Sequence, residues 1–210
     1  MRNCKPLSVN NEASCLYSSA GPGVKLSHEK LILKAKEKLS LEAMIDGLPK
    51  PKVEWKFNGV DVSGNKNVIC ENKKDKYLLR VNKVDETYTG LFTIIAINEA
   101  GQSEASCNVV VEYPPRFTKE LENNKCLLES SYNAEIEVEG MPEPKVTWFK
   151  DDKPLIHSEC VQSDGSFKLH FEKFQISDSG VYRVVAANSS GTAKTEAHLE
   201  VLGKTYSFYP

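Results

Sequence analysis

The sequence predicts an all-β fold of two tandem β-sandwiches, and three observations support this prediction. A pattern of about 90 residues occurs twice: Trp55 and Trp148 are 148 − 55 = 93 residues apart, and Gly101 and Gly191 are 191 − 101 = 90 apart. Apolar residues alternate with polar ones at period two, which is typical of strands with one buried face. Gly, Pro and Asn separate these runs at short intervals, as turns require. Each copy has a length that suits a sandwich of about seven to nine strands.

The first copy begins to alternate at Val24. Its clearest strand is 39–45, where every second residue is apolar. Pro49 and Pro51 end that strand, because proline donates no backbone hydrogen bond to a sheet. The other predicted strands of this copy lie within 53–57, 77–81, 91–96 and 103–111.

The second copy repeats the same order of elements. Ile136 and Val138 share one face of its first clear strand, and Pro142 and Pro144 turn the chain. Further inward pairs are predicted at Val146 and Trp148 and at Leu169 and Phe171, and the closing strands lie within 181–186 and 195–201.

These patterns divide the chain into four segments. We predict a flexible N-terminal tail at 1–23, a first domain at 24–113, a second domain at 114–203 and a C-terminal tail at 204–210. Only Tyr113, Pro114 and Pro115 lie between the two sets of strands. Because each proline restricts one φ angle, we expect the two domains to form a semi-rigid rod.

Composition argues against several classes of function. The net charge is −2, and basic residues alternate with acidic ones, which disfavours binding to nucleic acid or to an acidic membrane. No apolar run approaches the roughly 20 residues needed to span a bilayer, and residues 1–19 do not resemble a secretory signal. No nucleophile elbow, phosphate loop or metal-ligand spacing appears. We therefore predict no enzymatic activity, no cofactor, no metal site and no small-molecule substrate.

Three motifs are informative; two of them occur in both copies and one is complete only in the second copy. They are the Gly-x-Pro-x-Pro-x-Val-x-Trp runs at 47–55 and 140–148, the Asp-Ser-Gly-Val-Tyr corner at 178–182, and the Ala-x-Asn-x-x-Gly hairpins at 96–101 and 186–191. Together they resemble the immunoglobulin domain of the intermediate type (I-set), and in particular the modules of the titin and twitchin group of intracellular muscle proteins. The resemblance covers nearly all of 24–203.

The resemblance implies a set of core positions. Trp55 and Trp148 would fill the space between the sheets, and Tyr182 would bury its ring and direct its hydroxyl to the backbone. The first copy has Phe92 in place of Tyr182, and Tyr88 in place of Asp178. Since one hydrogen bond is then lost, we expect the first domain to be the less stable of the two.

The resemblance also shows what is missing. The positions that would carry the core cysteines are aliphatic in both copies: Ala43 and Ile94 in the first, and Ile136 and Val184 in the second. We therefore predict two immunoglobulin-like sandwiches that lack the core disulfide. A secreted domain rarely gives up this bond, whereas a cytosolic one has little use for it.

The six cysteines fit no disulfide framework. Cys4 and Cys15 lie in the tail, Cys70 and Cys160 in mid-domain segments, and Cys126 near the start of the second domain. Cys107 aligns with the inward position Ala197, which indicates a buried, inert thiol. We expect all six thiols to be free.

The leading interpretation is a non-enzymatic structural and protein-binding segment of a cytoskeletal protein of the sarcomere, acting as spacer, docking surface and mechanical element. The partners would be other proteins, and the location cytoplasmic. One alternative is a fragment of a cell-surface adhesion protein or receptor, which glycosylation of the Asn188-Ser189-Ser190 triplet would favour. Another is a regulatory segment of a larger kinase-containing protein.

Overall fold

The computed structural model describes residues 19–155, 160–163 and 165–203. These residues form β-strands almost throughout, with single 3-10 turns at Glu86–Tyr88 and Ile176–Asp178. The strands of the first half are β1 Ala20–Leu26, β2 Lys30–Lys34, β3 Leu39–Leu48, β4 Lys52–Phe57, β5 Val60–Asp61, β6 Val68–Lys73, β7 Lys76–Val81, β8 Gly90–Asn98 and β9 Gly101–Lys119. Those of the second half are β10 Asn124–Leu127, β11 Tyr132–Met141, β12 Lys145–Lys150, β13 Lys153–Pro154, β14 Cys160–Ser163, β15 Ser166–Phe171, β16 Gly180–Asn188 and β17 Gly191–Leu202.

The first half forms two sheets. One has the order β1-β3-β7-β6, and the other contains β9, β8, β4 and β5 in that order, with β2 paired to β9. Both sheets bury one face: β3 buries every second residue from Leu39 to Ile45, as predicted, and Trp55, Phe92 and Ile94 are buried in the other sheet. This arrangement is a sandwich with an apolar interior.

The second half repeats this scheme. One sheet contains the end of β9, then β11, β15 and β14, and the other has the order β10-β17-β16-β12-β13. Side chains from both sheets form one apolar cluster, so the two sheets face each other. Its buried members are Cys126, Ala134, Ile136, Val138, Trp148, Phe167, Leu169, Phe174, Tyr182, Val184, Ala186 and Leu199.

The predicted boundary between residues 113 and 114 falls inside a strand. β9 runs without interruption from Gly101 to Lys119, and its residues from Tyr113 onward pair with β11. The connection between the two sandwiches is therefore extended strand, not a separate loop.

The prediction that the N-terminal tail extends through Gly23 is wrong for its last four residues. β1 begins at Ala20, which pairs with Leu48, and a bulge separates this pair from the pairing of Gly23 with Asp46. The Gly23 N–H also donates to the Asp46 carboxylate at 2.9 Å. Residues 20–23 have no alternation of apolar and polar residues, and it is the pairing with β3 that places them in a strand. The remaining tail residues 1–18 and 204–210 lie outside the described residues.

Candidate functional site

The four positions that would hold core cysteines are all fully buried. Ala43, Ile94, Ile136 and Val184 are each 0% exposed. Ile136 lies on β11 and Val184 on β16, one on each sheet of the second sandwich, and both belong to its apolar cluster. Aliphatic side chains thus occupy the space between the sheets, and dispersion contacts take the place of a covalent bond.

The cysteines in the described part of the chain are free. Cys70 is exposed, whereas Cys107 and Cys126 are buried. Burial raises the pKa of the Cys107 and Cys126 thiols, which keeps them protonated and unreactive. The buried position of Cys107 agrees with its predicted alignment to Ala197, which is also buried. Cys4 and Cys15 lie outside the described residues, as does the side chain of Cys160.

Each sandwich has one buried tryptophan at its centre. Trp55 is 6% exposed and Trp148 is 3% exposed. The indole Nε1–H of Trp148 is buried and has no hydrogen-bond acceptor among the described residues. The contribution of Trp148 to stability therefore comes from the volume and apolar surface of its ring.

The tyrosine corner of the second sandwich joins a turn to two strands. The Tyr182 hydroxyl donates to the Asp178 carbonyl oxygen at 2.8 Å. The Asp178 carboxylate accepts from the Gln175 N–H at 2.7 Å, and the Ser179 hydroxyl oxygen accepts from the Val201 N–H at 2.9 Å. Side chains thus satisfy backbone donors that the turn would otherwise leave unpaired.

The first sandwich builds the same corner differently. Phe92 is fully buried and its ring contacts that of Phe57, with centroids 4.6 Å apart. The turn is capped by Asp85, whose carboxylate accepts from the Thr87 N–H at 3.0 Å. The sequence comparison of Tyr88 with Asp178 missed this cap, because the carboxylate comes from a different position of the turn.

Removing the Tyr182 hydroxyl is expected to destabilise the second sandwich. Tyr182→Phe should lower its free energy of unfolding by about 1 kcal/mol, since the Asp178 carbonyl loses its donor. Chemical denaturation measures this change. Tyr132→Phe is the matched control, because it removes a hydroxyl from a half-buried ring that stacks on Phe171 of the same core. An equal loss in both variants would contradict a specific role for the corner.

Two asparagines hold the ends of their sandwiches together. In the first sandwich, Asn98 Nδ2 donates to the carbonyl oxygens of Ala20 and Pro49, at 2.8 and 2.9 Å. In the second, Asn188 Nδ2 donates to those of Tyr113 and Pro142, at 2.9 and 2.8 Å. The sequence predicted only turn chemistry for these residues. The available signal was that Asn recurs at the same place in the two hairpin motifs, at an offset of 188 − 98 = 90.

Charged residues form a cross-strand ladder on the outer face of β9, β11 and β15. Glu135 accepts from Lys119 at 2.6 Å and pairs with Lys168 at 2.8 Å. Further along, Arg116 pairs with Glu139 at 2.9 Å. Hydrogen bonds from Lys119 and then Lys168 lower the pKa of Glu135 to about 2.

The ladder is expected to make stability depend on pH in the acid range. Because its pKa is lower in the folded chain, ionised Glu135 stabilises the fold above its ordinary pKa near 4.5, and this contribution is lost as the pH falls toward 2. Glu135→Gln should lower the denaturation midpoint at pH 7 and low salt, and the difference from the unmodified chain should vanish near pH 2 or in 1 M salt. Glu137→Gln is the control, because Glu137 accepts from the neutral Thr118 hydroxyl at 3.4 Å. A difference that persists at pH 2 would contradict the assignment.

Leu91, Thr93, Ile95 and Ile97 alternate with the core residues Phe92 and Ile94 along β8, and we call them the β8 stripe. Thr93 is half-buried and Ile95 is buried, so Leu91 and Ile97 are its exposed members. Leu91 is 46% exposed and Ile97 is 43% exposed. The alternate residues of β8, including Phe92 and Ile94, fill the core. β8 therefore exposes two apolar side chains, Leu91 and Ile97, at positions where a strand with one solvated face usually carries polar residues. The apolar run from Leu91 to Ile97 was the sequence signal for this surface.

The described residues also bear on metal sites and on membrane-spanning helices. Among residues 19–155, 160–163 and 165–203, no group of His, Cys, Asp and Glu side chains is arranged to hold a metal ion. In the same ranges, no helix is long and apolar enough to cross a membrane.

Comparison with known proteins gives concordant matches. The family model for the immunoglobulin I-set domain matches residues 22–111 and 115–201. The muscle M-line assembly protein unc-89 of Caenorhabditis elegans is 30% identical over 182 residues, which cover 79% of this chain and 2% of that protein. The titin homolog of Caenorhabditis elegans is 33% identical over 159 residues, which cover 70% of this chain and 1% of that protein.

A solved structure of titin Ig tandem domains A164–A165 is 24% identical and has a TM-score of 0.67. The match covers 89% of this chain and 100% of that one, which supports the fold of two immunoglobulin-like sandwiches. The chain spans only 1% to 2% of the length of the two curated relatives named above.

Proposed function

Because this chain belongs to the immunoglobulin I-set family, we propose that it is a non-enzymatic, protein-binding tandem module of the muscle cytoskeleton, resembling a segment of a titin-like protein. The observation that carries the proposal is the buried aliphatic pair in each core, Ala43 with Ile94 and Ile136 with Val184. Such a core does not depend on an oxidising compartment, which suits the cytoplasm. The names of two relatives, a muscle M-line assembly protein and a titin homolog, support the assignment to muscle.

The docking surface of this proposal is the β8 stripe. Leu91 and Ile97 are its exposed members. The neighbouring strand is β4, in which Lys52 pairs with Ile97 and Glu54 pairs with the buried Ile95 across the sheet. Lys52 and Glu54 form a salt bridge at 2.8 Å. An apolar centre bordered by charged residues is the composition of a protein–protein interface. The partner would present an apolar surface of similar width with polar edges.

The mechanical role rests on two parallel strand pairs. β2 pairs with β9 in parallel, and β10 pairs with β17 in parallel. In each pair, one strand lies near the start of its sandwich and the other near its end. Force that pulls the two ends apart would shear these ladders, loading their hydrogen bonds together instead of one at a time. We therefore assign the resistance to force to these two pairs.

The spacer role rests on the connection. Pro114 and Pro115 lie within the uninterrupted strand β9, and their restricted φ angles favour a stiff link. Small-angle scattering of the whole chain is expected to give a narrow distribution of end-to-end distances. The variant with both prolines replaced by glycine should give a broader one. A broad distribution for the unmodified chain would overturn the spacer role.

Imaging of the tagged chain in cultured muscle cells tests the proposed function. We expect a striated distribution. A variant with Leu91→Lys and Ile97→Glu should fold but become diffuse, because both side chains are partly exposed and belong to the β8 stripe. Ile176→Glu is the control, since Ile176 is 72% exposed and lies outside the stripe. Diffuse or plasma-membrane staining of the unmodified chain would overturn the proposal.

A further inference from the structure

The chain contains a single triplet for N-linked glycosylation, Asn188-Ser189-Ser190. The triplet lies at the hairpin between β16 and β17. Attachment of a glycan needs a free Asn188 Nδ2 group. It forms a bond between Nδ2 and C1 of the sugar, breaks the C1–O bond to the pyrophosphate of a lipid-linked oligosaccharide donor, and releases one amide proton. The environment of Nδ2 in the folded chain therefore decides whether the reaction is possible there.

Both N–H groups of Asn188 are already used. A primary amide has two N–H donors, and here one donates to the Tyr113 carbonyl oxygen at 2.9 Å and the other to that of Pro142 at 2.8 Å. The Oδ1 atom accepts from the N–H groups of Ser190 and Gly191, at 2.8 and 3.1 Å. Glycosylation would remove one of the two donors and leave a carbonyl oxygen unpaired.

The space and the hydroxyl group lead to the same conclusion. A Cβ atom added to Gly140 would lie 3.1 Å from Asn188 Nδ2 and 2.8 Å from Pro144 Cγ. Because 2.8 Å is shorter than a normal contact between carbon atoms, the Gly140 side of the Asn188 amide has no room for a further heavy atom of a sugar. The Ser190 hydroxyl, which completes the triplet, is buried and has no hydrogen-bond partner among the described residues. Neither the acceptor nor the recognition group of the triplet is available to an enzyme.

We propose that the Asn188 amide is a latch that joins β9 to the Pro142 turn, and that glycan attachment and the native second sandwich exclude each other. The triplet is thus a modification site of the unfolded chain only. A glycan at Asn188 would mark molecules in which the second sandwich has failed to close. This inference concerns the chemistry of the site and holds independently of the protein's location.

The first test sends the whole chain, with an added cleavable signal peptide, through the secretory pathway of cultured cells. Asn67→Thr supplies the positive control, because it completes a triplet that begins at the exposed Asn65. Ser190→Ala removes the natural triplet and places there the residue that the first copy has at Ala100. We expect secreted, protease-resistant chain to carry a glycosidase-sensitive glycan only in the Asn67→Thr variant, and any chain glycosylated at Asn188 to be protease-sensitive. Secreted, protease-resistant chain with a glycan on Asn188 would overturn the proposal.

The second test needs no secretion. Asn188→Asp keeps the size of the side chain but replaces both N–H donors with an oxygen that faces two carbonyl oxygens. We expect it to lower the melting temperature of the second sandwich by about 4–8 °C or more. Ser190→Ala should leave the melting temperature unchanged, because the hydroxyl has no partner. Equal melting temperatures for Asn188→Asp and the unmodified chain would show that the latch does not exist.

Discussion

Replacing Trp148 with alanine is expected to destabilise the second sandwich by about 3–5 kcal/mol, a large part of the 5–15 kcal/mol typical of a whole domain. Trp148 is 3% exposed and belongs to the same apolar cluster as Ile136 and Val184. Its removal leaves a cavity that strands on two facing sheets cannot easily fill. In this variant, Trp55 is the remaining tryptophan and reports on the first sandwich alone. Its fluorescence transition should stay in place, while circular dichroism should show an earlier transition of the second sandwich.

Trp148→Phe is the matched control. Phenylalanine keeps most of the apolar surface and removes an indole N–H that has no acceptor among the described residues. Its effect should therefore be much smaller than that of alanine. Equal losses for the two variants would contradict a stabilising role for the apolar surface of the ring. A shift of the Trp55 transition as large as that of the second sandwich would contradict two separately stabilised cores.

A cysteine pair at Ile136 and Val184 is expected to form the disulfide that the natural chain lacks. In the oxidised form, the double variant should be more stable than in its reduced form by about 2–4 kcal/mol, because the bond restricts the unfolded chain across the 184 − 136 = 48 residues that separate the two positions. The reduced form should be less stable than the natural chain, because cysteine is smaller than either aliphatic residue. Denaturant titration with and without reductant measures both differences.

The single variant Ile136→Cys controls for the loss of volume. It should be destabilised in both redox conditions and should gain nothing on oxidation. Failure of the double variant to form the bond, or a bond that lowers stability, would show that Ile136 and Val184 do not occupy the positions of the missing cysteines. The pair Ala43 and Ile94 allows the same test of bond formation in the first sandwich, although Ala43→Cys adds volume there instead of removing it.

Much of the fold could be predicted from local patterns. The alternation in β3 identified Leu39, Leu41, Ala43 and Ile45 as buried, because a strand that covers a core must present one face to it. The start of β1 could not be predicted in this way. Residues 20–23 have no apolar alternation, and their strand conformation depends on pairing with Leu48 and Asp46, which lie more than twenty residues further along the chain.

The site residues show the same division. Burial of the tryptophans and of the cysteine-equivalent positions follows from strand periodicity together with the repeated motifs. The hydrogen bonds of the Asn188 latch could not be predicted from these patterns, because the two acceptors lie 46 and 75 residues away in the sequence. Long-range hydrogen bonds of a turn side chain leave no periodic signal. The Asp85 cap was missed for a different reason, since the two copies place their carboxylates at different positions in the same turn.

The claim that both sandwiches are held together without a disulfide has a simple test. Thermal unfolding of the natural chain is measured with and without an excess of reductant, and free thiols are counted under denaturing, non-reducing conditions. We expect the same unfolding midpoints in both buffers and six free thiols, the number of cysteines in the chain. A midpoint that falls on addition of reductant, together with fewer than six thiols, would mean that a disulfide stabilises the fold.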